Sequence, residues 1–332
     1  MISLPYGRGS VSIRQSASRA ATVRERYCFA LLSMVFVSAS PPQDCAPCHR
    51  PETAAFAKAG MTSALSRASE STVLRNHPKL TASIGNYNYE IAESVYTVSD
   101  GKATLRFPIA WAFGKGTTGQ TYLFERGGRW YESRVSYYAA LNGLDLTLGF
   151  QSIKPQNLLE AAGRLTSPKE AAQCFACHAT KQTPGIQCDR CHGDLAAHPK
   201  LRKLARLTAG EMSDFCGECH RTWSQVAAEG PRGILNVRFQ PYRLANSKCY
   251  DAEDRRIRCT ACHDPHQTVQ TKAAAYDAKC NACHTRASKR ICKVAKKDCV
   301  TCHMPQIELP GAHRTFADHW IRVVRKDAPY PD

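Results

Sequence analysis

Outside one short segment near its N-terminus, this 332-residue sequence has no apolar run long enough to cross a bilayer, which excludes a chain threaded through a membrane as several helices. Acidic residues are scarce: 28 Asp and Glu stand against 45 Lys and Arg, a formal charge of +17. Cysteine is absent from residues 49–173, so no disulfide or thiolate site can draw on that stretch. The C-terminal half lacks something else, a sustained helical or strand period among its apolar residues. A conventional core is not to be expected from its own side chains.

What the sequence has instead is cysteine, 17 of them, a density to be explained by disulfides, metal sites or cofactor attachment. Fourteen fall into Cys-x-x-Cys-His, repeated seven times: Cys45-Cys48-His49, Cys174-Cys177-His178, Cys188-Cys191-His192, Cys216-Cys219-His220, Cys259-Cys262-His263, Cys280-Cys283-His284 and Cys299-Cys302-His303. Random placement of this composition would give about 0.03 occurrences. Residues three and four apart on a helical turn share one face, so both thiols can bond the two vinyl groups of one haem while the histidine reaches its iron from the proximal side. The motif therefore predicts seven covalently attached haem c groups.

Two other uses of paired cysteines fit the sequence less well. Structural zinc sites combine pairs of pairs, seven is odd, and tetrahedral zinc does not require a histidine after every second cysteine. A disulfide framework fails because seven local loops would staple almost nothing. Of the cysteines outside the motifs, Cys249 and Cys292 are expected to pair in an oxidising compartment.

Low-spin iron takes a second axial ligand, which directs attention to the five histidines outside the motifs: His77, His198, His266, His313 and His319. Five cannot cap seven irons. Met61 and Met212 are the thioether candidates, Met212 more simply read as an apolar contact, while Met304 directly follows a proximal histidine and is badly placed to reach the far side of the same ring.

The charge then finds a partner. Taken alone, an excess of Lys and Arg invites a nucleic-acid or anionic-membrane reading. Seven haems, however, would bring about fourteen propionates, which need basic neighbours when buried, and the excess is of that size. No nucleic acid is expected.

Residues 1–40 read as an export signal. Arg24 and Arg26 precede the apolar run Tyr27 to Val37, Val37-Ser38-Ala39 fits a small-residue cleavage site, and Pro41 and Pro42 follow. The polar stretch from Met1 to Thr22 exceeds what such a signal needs and fits an internal start near Val23; an uncleaved N-terminal anchor is the alternative. Export places the chain in the periplasm.

The mature chain divides into an N-terminal haem segment (41–85), an antiparallel β insertion (86–165) and a six-haem region (166–332). In the insertion, Tyr89-Glu90-Ile91-Ala92-Glu93-Ser94-Val95-Tyr96 alternates ahead of a turn at Ser99-Asp100-Gly101, and the runs Gly119 to Glu125 and Arg129 to Ser133 flank Gly127-Gly128. Four to six strands are predicted there. Leu195 to Leu207 and Ser213 to Ala228 are the best helix candidates of the six-haem region, with Pro231-Arg232-Gly233 breaking the chain after the second. The fold class expected is mainly α with irregular loops, organised around stacked haems, with a small antiparallel β insertion.

At these residues the chain resembles the multihaem cytochromes of the cytochrome c-552/4 type with doubled Cys-x-x-Cys-His motifs. The likeness is carried by Cys45-Ala46-Pro47-Cys48-His49 with Phe56 and Met61; Cys188-Asp189-Arg190-Cys191-His192-Gly193 with His198; Cys259-Thr260-Ala261-Cys262-His263-Asp264-Pro265-His266; and Cys299-Val300-Thr301-Cys302-His303-Met304-Pro305 with His313, Phe316, His319 and Arg322. The resemblance implies that His198 and His266 cap neighbouring haems, and that His313 and His319 do likewise. Such proteins often carry histidine near the position of Met61, a departure that puts one axial ligand in question.

The expected role is electron transfer between a membrane donor and an exported acceptor, with redox proteins as partners. No small-molecule substrate is identified. The alternative is a multihaem oxidoreductase acting on a small nitrogen or sulfur compound at an iron with an open position; against it, no Cys-x-x-Cys-Lys motif is present. A redox sensor would need an output domain, and none is recognisable. Protein from a host competent in cytochrome maturation is expected to be red and heavier than its peptide by seven haems on mass spectrometry; a colourless, zinc-containing product would refute the assignment.

Overall fold

Between residues 65 and 165 most regular structure comes from short runs in which alternate residues are apolar, so that one face is buried and the other is not. The computed structural model of the chain describes residues 45–194, 198, 202–285, 291–325 and 330–331. The export-signal reading of residues 1–40 falls outside them.

Ten strands form one sheet: β1 (Leu65–Arg67), β2 (Lys79–Ile84), β3 (Tyr87–Ala92), β4 (Val95–Ser99), β5 (Thr104–Phe113), β6 (Gly119–Arg126), β7 (Arg129–Ser133), β8 (Val135–Tyr138), β9 (Gly143–Leu146) and β10 (Gly163–Leu165). Every ladder is antiparallel, in the order β10-β7-β6-β5-β4-β3-β2, with β1 added to β5 and β8 joining β6 to β9. The sheet curls, because β6 pairs with β5 along one edge and with both β8 and β7 along the other, and β9 comes round against β2.

This overturns the expected fold class. Of the described residues 33% are helical and 25% strand, with a large curled sheet of ten strands, and the fold they form is not mainly α. The predicted hairpins are present, Gly127 and Gly128 supplying the positive φ of 58° and 70° between β6 and β7. The turn joining β3 to β4 is made by Glu93 and Ser94, at φ 50° and 61°, without a glycine. Predicted as one alternating run, Tyr89 to Tyr96 is therefore two strands.

A bulge at Ala110 sets up two cores. Ile109 pairs with Phe124 and Trp111 with Leu123, so one residue of β5 has no counterpart on β6 and the alternation of β5 shifts. Before the bulge Phe107 and Ile109 face the concave side, with Tyr96, Tyr122 and Phe124. The Phe107 and Phe124 rings stack at 4.3 Å, and the Tyr96 hydroxyl donates to the Ala162 carbonyl at 2.8 Å. After the bulge Trp111 and Phe113 face the other side, where Leu65, Leu123, Ala179 and Phe175 pack on them. Phe175 lies inside the Cys174 motif, 5.5 Å from Trp111 and 5.6 Å from Phe113 between ring centres. The second face of the sheet thus anchors a motif helix.

The C-terminal half is built of short helices. Ser213 to Ala228, predicted as one helix, is two, Ala209–His220 and Trp223–Glu229, broken at Arg221 with φ 67°. Thr222 restarts the chain through a capping box with Gln225. The other predicted helix, Leu195 to Leu207, lies partly outside the described residues, and Leu204–Arg206 within it is a single 3-10 turn. Two small hairpins, β11 (Ala179–Thr180) with β12 (Thr183–Pro184) and β13 (Gln306–Leu309) with β14 (Arg314–Ala317), complete the fold. The turn between β13 and β14 docks on the sheet, where His313 Nε2 meets the Asp145 carboxylate at 2.7 Å and Arg314 donates to the Thr118 hydroxyl.

Among the described residues no helix is long and apolar enough to cross a membrane. Trp111 is 1% exposed and lies under the Arg67 guanidinium, 3.8 Å from its ring centre. Trp111→Ala is expected to cost about 3–5 kcal/mol, read by denaturant unfolding of the sheet, and a loss below about 1 kcal/mol would show that the second core is dispensable.

Candidate metal centres

Each motif closes one helical turn from its first cysteine to its histidine. Four helices end on the motif histidine, Pro168–His178, Cys188–His192, Ala209–His220 and Cys299–His303. In the other three the histidine N–H donates to the first cysteine carbonyl, at 2.8 Å from His49 to Cys45, 2.9 Å from His263 to Cys259 and 3.0 Å from His284 to Cys280. The turn puts two thiols and an imidazole on one side of the backbone, the geometry that attachment to one planar ring requires.

The motifs touch one another in a definite order. Thiols within hydrogen-bonding reach join Cys45 to Cys188, Cys177 to Cys219, Cys216 to Cys259 and Cys280 to Cys299. Cys191 is within electrostatic reach of Cys219, and Cys262 of Cys280. Numbered along the sequence, the seven motifs therefore run 1-3-4-5-6-7 in space, and motif 2 branches from motif 4. Polar links reinforce two of these steps: Arg190 pairs with Glu218 at 2.8 Å between motifs 3 and 4, and the Asp277 carboxylate accepts from the Asp298 and Cys299 N–H groups between motifs 6 and 7.

Several imidazoles are held so that only one nitrogen is free. His178 Nδ1 donates to the Ala64 carbonyl at 2.8 Å, His303 Nδ1 to Arg322 at 2.9 Å, and His319 Nδ1 to Ala317 at 2.9 Å. A carbonyl can only accept, so Nδ1 carries the hydrogen and Nε2 keeps its lone pair for a metal. His266 Nδ1 is similarly engaged by the Asp264 carboxylate at 3.1 Å. Burial lowers the pKa of His178, His192, His220 and His263, and pushes His319 down to about 4. These rings are neutral at neutral pH, the form that ligates.

Three motif histidines face a histidine from outside the motifs. Ring centres are 6.3 Å apart for His49 and His198, 6.0 Å for His192 and His266, and 6.2 Å for His263 and His319. With metal–nitrogen bonds of about 2.0–2.1 Å, two imidazoles on opposite sides of one ion have centres about 6.4 Å apart. The spacing fits an axial pair in each case.

The two other candidates are committed elsewhere. His77 lies in the sheet unit with both nitrogens engaged, Nδ1 with the Val73 carbonyl at 2.9 Å and Nε2 with Asn142 Oδ1 at 2.8 Å. His313 gives Nε2 to Asp145. Met61 sits where its carbonyl accepts from Ile186 N–H at 3.0 Å, just before the Cys188 motif. Met212 is an apolar contact buried in the helix Ala209–His220. Cys249 and Cys292 are not joined by a disulfide, contrary to expectation; Cys249 neighbours Cys262 and Cys280 instead.

Two further features bear on what these centres hold. Among the described residues no three His, Cys, Asp or Glu converge to bind a metal ion, so no tetrahedral zinc set is assembled there. Arg238 is half-buried within electrostatic reach of Arg221, and its Nε is buried without a hydrogen-bond partner. Thr260 Oγ1, inside the Cys259 motif, is buried in the same condition. An orphaned guanidinium nitrogen beside a second cation fits a bulky anionic group such as a haem propionate. The residues thus fit haem: paired thiols, neutral imidazoles with a free Nε2, and a buried guanidinium nitrogen without a partner.

Sequence reasoning found the thiols and histidines but not the carbonyls of Ala64, Ala317 and Arg322 that orient three of the rings. A backbone oxygen carries no residue signature, so nothing in the sequence marks it.

No family model matches the chain, and no solved structure does. The chain is similar to the multiheme cytochrome MtrA of Shewanella baltica (strain OS185), 25% identical over 176 residues that cover 42% of this chain and 47% of the relative. The chain thus spans about half the length of that relative. By its name that relative is a multihaem cytochrome, which accords with the repeated Cys-x-x-Cys-His motif of this chain. The similarity does not single out the doubled-motif type.

His77 provides a test of the distinction between a ligand and a structural histidine. His77→Ala is expected to lower stability by about 1–2 kcal/mol through its lost hydrogen bonds and to leave the visible spectrum of the holoprotein unchanged. A shift of one haem band would return His77 to the axial ligands.

Proposed function

We propose that the chain is an exported, periplasmic cytochrome whose seven haem c groups pass electrons between redox proteins, at least one of them at a membrane. Contact between successive motifs carries this reading: the centres form one continuous path, 1-3-4-5-6-7, with motif 2 attached at motif 4. Haem supplies a one-electron carrier at each position. The polypeptide fixes the separations and sets each potential through the axial ligand and its surroundings. On this reading residues 41–85 contribute the first centre and residues 166–332 the other six.

The second ligands follow from the ring spacings. His198 caps the haem of His49, His266 that of His192 and His319 that of His263. With His77 and His313 engaged in the sheet unit, three of the five free histidines serve seven irons, and four second positions are left to Met61, to another group or to solvent. That shortfall favours a second reading, in which one of the four irons is open and reduces or oxidises a small nitrogen or sulfur compound.

Electron paramagnetic resonance of the oxidised holoprotein distinguishes these cases. Three bis-histidine signals are expected, including a rhombic low-spin signal from His192 and His266, whose planes lie 10° apart, and a strongly axial one from His49 and His198, crossed at 65°. More than three bis-histidine centres would refute the ligand assignment. A high-spin ferric signal that shifts on adding nitrite or hydroxylamine would establish the second reading, and its absence leaves electron transfer alone. His266→Ala is expected to convert one low-spin centre without loss of haem mass.

A further inference from the structure

Asp318 and Arg243 form a fully buried ion pair that none of the chemistry above uses, both side chains being 0% exposed. The pair is bidentate: Arg243 Nε donates to Oδ1 and Nη2 to Oδ2, each at 2.9 Å. The remaining guanidinium nitrogen, Nη1, donates to Asn236 Oδ1 and to the Pro331 carbonyl, both at 3.0 Å. The rings of Trp320 and Tyr330 cover the cation at 5.0 Å and 4.6 Å. Arg322 adds a second cation to Oδ2 at 2.6 Å, and Trp320 N–H donates to Oδ1 at 3.0 Å.

Such a pair is a poor way to gain stability, since taking two charges out of water costs about what their attraction returns. Its location gives it another use. Asp318 is the second residue of a six-residue strap, Ala317 to Arg322, and the strap fixes two histidines, its own His319 and His303. At one end His319 Nδ1 is fixed by Ala317, and Ser247 Oγ donates to the His319 carbonyl at 3.2 Å while accepting from Ile321 N–H at 2.8 Å. At the other end the Arg322 carbonyl accepts from His303 Nδ1 at 2.9 Å, and Arg322 N–H donates back to the His303 carbonyl at 3.2 Å. His319 faces His263 of motif 5, and His303 belongs to motif 7.

We propose that Asp318 and Arg243 are positioning residues for the irons of motifs 5 and 7: by pinning one strap to the helix Gln240–Ala245, they set the distal imidazole of the first and the tilt of the proximal imidazole of the second. The proposal rests on the haem reading above. Neither side chain touches an iron; both act through His319 and His303. A loosened strap frees His319 to leave its iron, which turns a six-coordinate low-spin centre into an open one.

The test compares Asp318→Asn, Arg243→Lys and His319→Ala holoproteins by mass, electron paramagnetic resonance and carbon monoxide binding to the reduced form. Arg243→Lys keeps the buried charge and loses only the two-point geometry, so it decides the matter where Asp318→Asn fails to fold. All folded variants are expected to keep seven haems by mass. His319→Ala should lose the motif 5 bis-histidine signal and gain one site for carbon monoxide, and Asp318→Asn or Arg243→Lys should give the same pair of changes. Wild-type ligation in a folded Arg243→Lys protein, beside a changed His319→Ala protein, would overturn the positioning role. An unchanged His319→Ala protein would overturn the pairing with His263 and the proposal with it, whereas missing haem mass in the unsubstituted protein would refute the haem reading itself.

Discussion

The motif segments cannot bury themselves. The helices Cys188–His192, Cys259–Cys262, Asp277–Asn281 and Cys299–His303 contain no buried residue, although each lies in the region where the protein is most densely patterned. A helix of four or five residues is far below the length at which propensity alone sustains it, so its persistence depends on what it packs against. In the sheet unit the opposite holds: Tyr96, Val98, Tyr122, Phe124 and Val135 are all sealed from solvent by other side chains. One part of the chain supplies its own interior, and the other is shaped to receive one. Flat apolar cofactors held by thioether bonds satisfy that requirement without demanding long hydrophobic elements.

The same economy governs the ligands. A histidine side chain has rotational freedom that a metal bond alone would have to remove, and here the chain removes part of it in advance by tying Nδ1 to a carbonyl at His178, His303 and His319. Two of the carbonyls come from segments remote in sequence: Ala64 is the residue before β1, and Arg322 follows β14. The sheet unit is therefore more than a cover. Through Phe175 against Trp111 and Phe113, and through Ala64 on His178, it sets where motif 2 stands, and through Asp145 and Thr118 it holds the hairpin that leads into the Asp318 strap.

What the residues disclosed in advance was chemistry and local turns. The motif is legible because its function fixes residue type at fixed spacing, and the Gly127-Gly128 hairpin because glycine marks positive φ. The sheet's extent was not legible. β1 and β10 have three residues each, and β8 is buried on all four, so neither shows the alternation by which strands are recognised. Glu93 and Ser94 make their turn from residues that rarely adopt φ above zero, and Arg221 breaks a helix in the same way, so both breaks were hidden. The mainly α expectation weighed the motif helices and missed how much sheet such short strands can assemble. Which histidine faces which also lay beyond sequence, because the partners of His49 and His192 are separated from them by long stretches of chain.

Sequence order and spatial order differ at one point, and that point has a physical cause. Motif 2 follows motif 1 along the chain, yet Cys45 of motif 1 meets Cys188 of motif 3, and Cys177 of motif 2 meets Cys219 of motif 4. Motif 2 is the one whose helix is claimed by the sheet's second core, and that core sits where the bulge at Ala110 turns Trp111 and Phe113 outward. A helix fixed there cannot also stand between motifs 1 and 3. Gly185 shows how the chain accommodates this: at φ 75°, a Cβ added there would collide with the Thr62 carbonyl, so only glycine lets the link between motifs 2 and 3 run against the Met61–Ser63 turn that follows motif 1. A single unpaired residue in a strand thus decides the branching of an array whose other members follow one another in order.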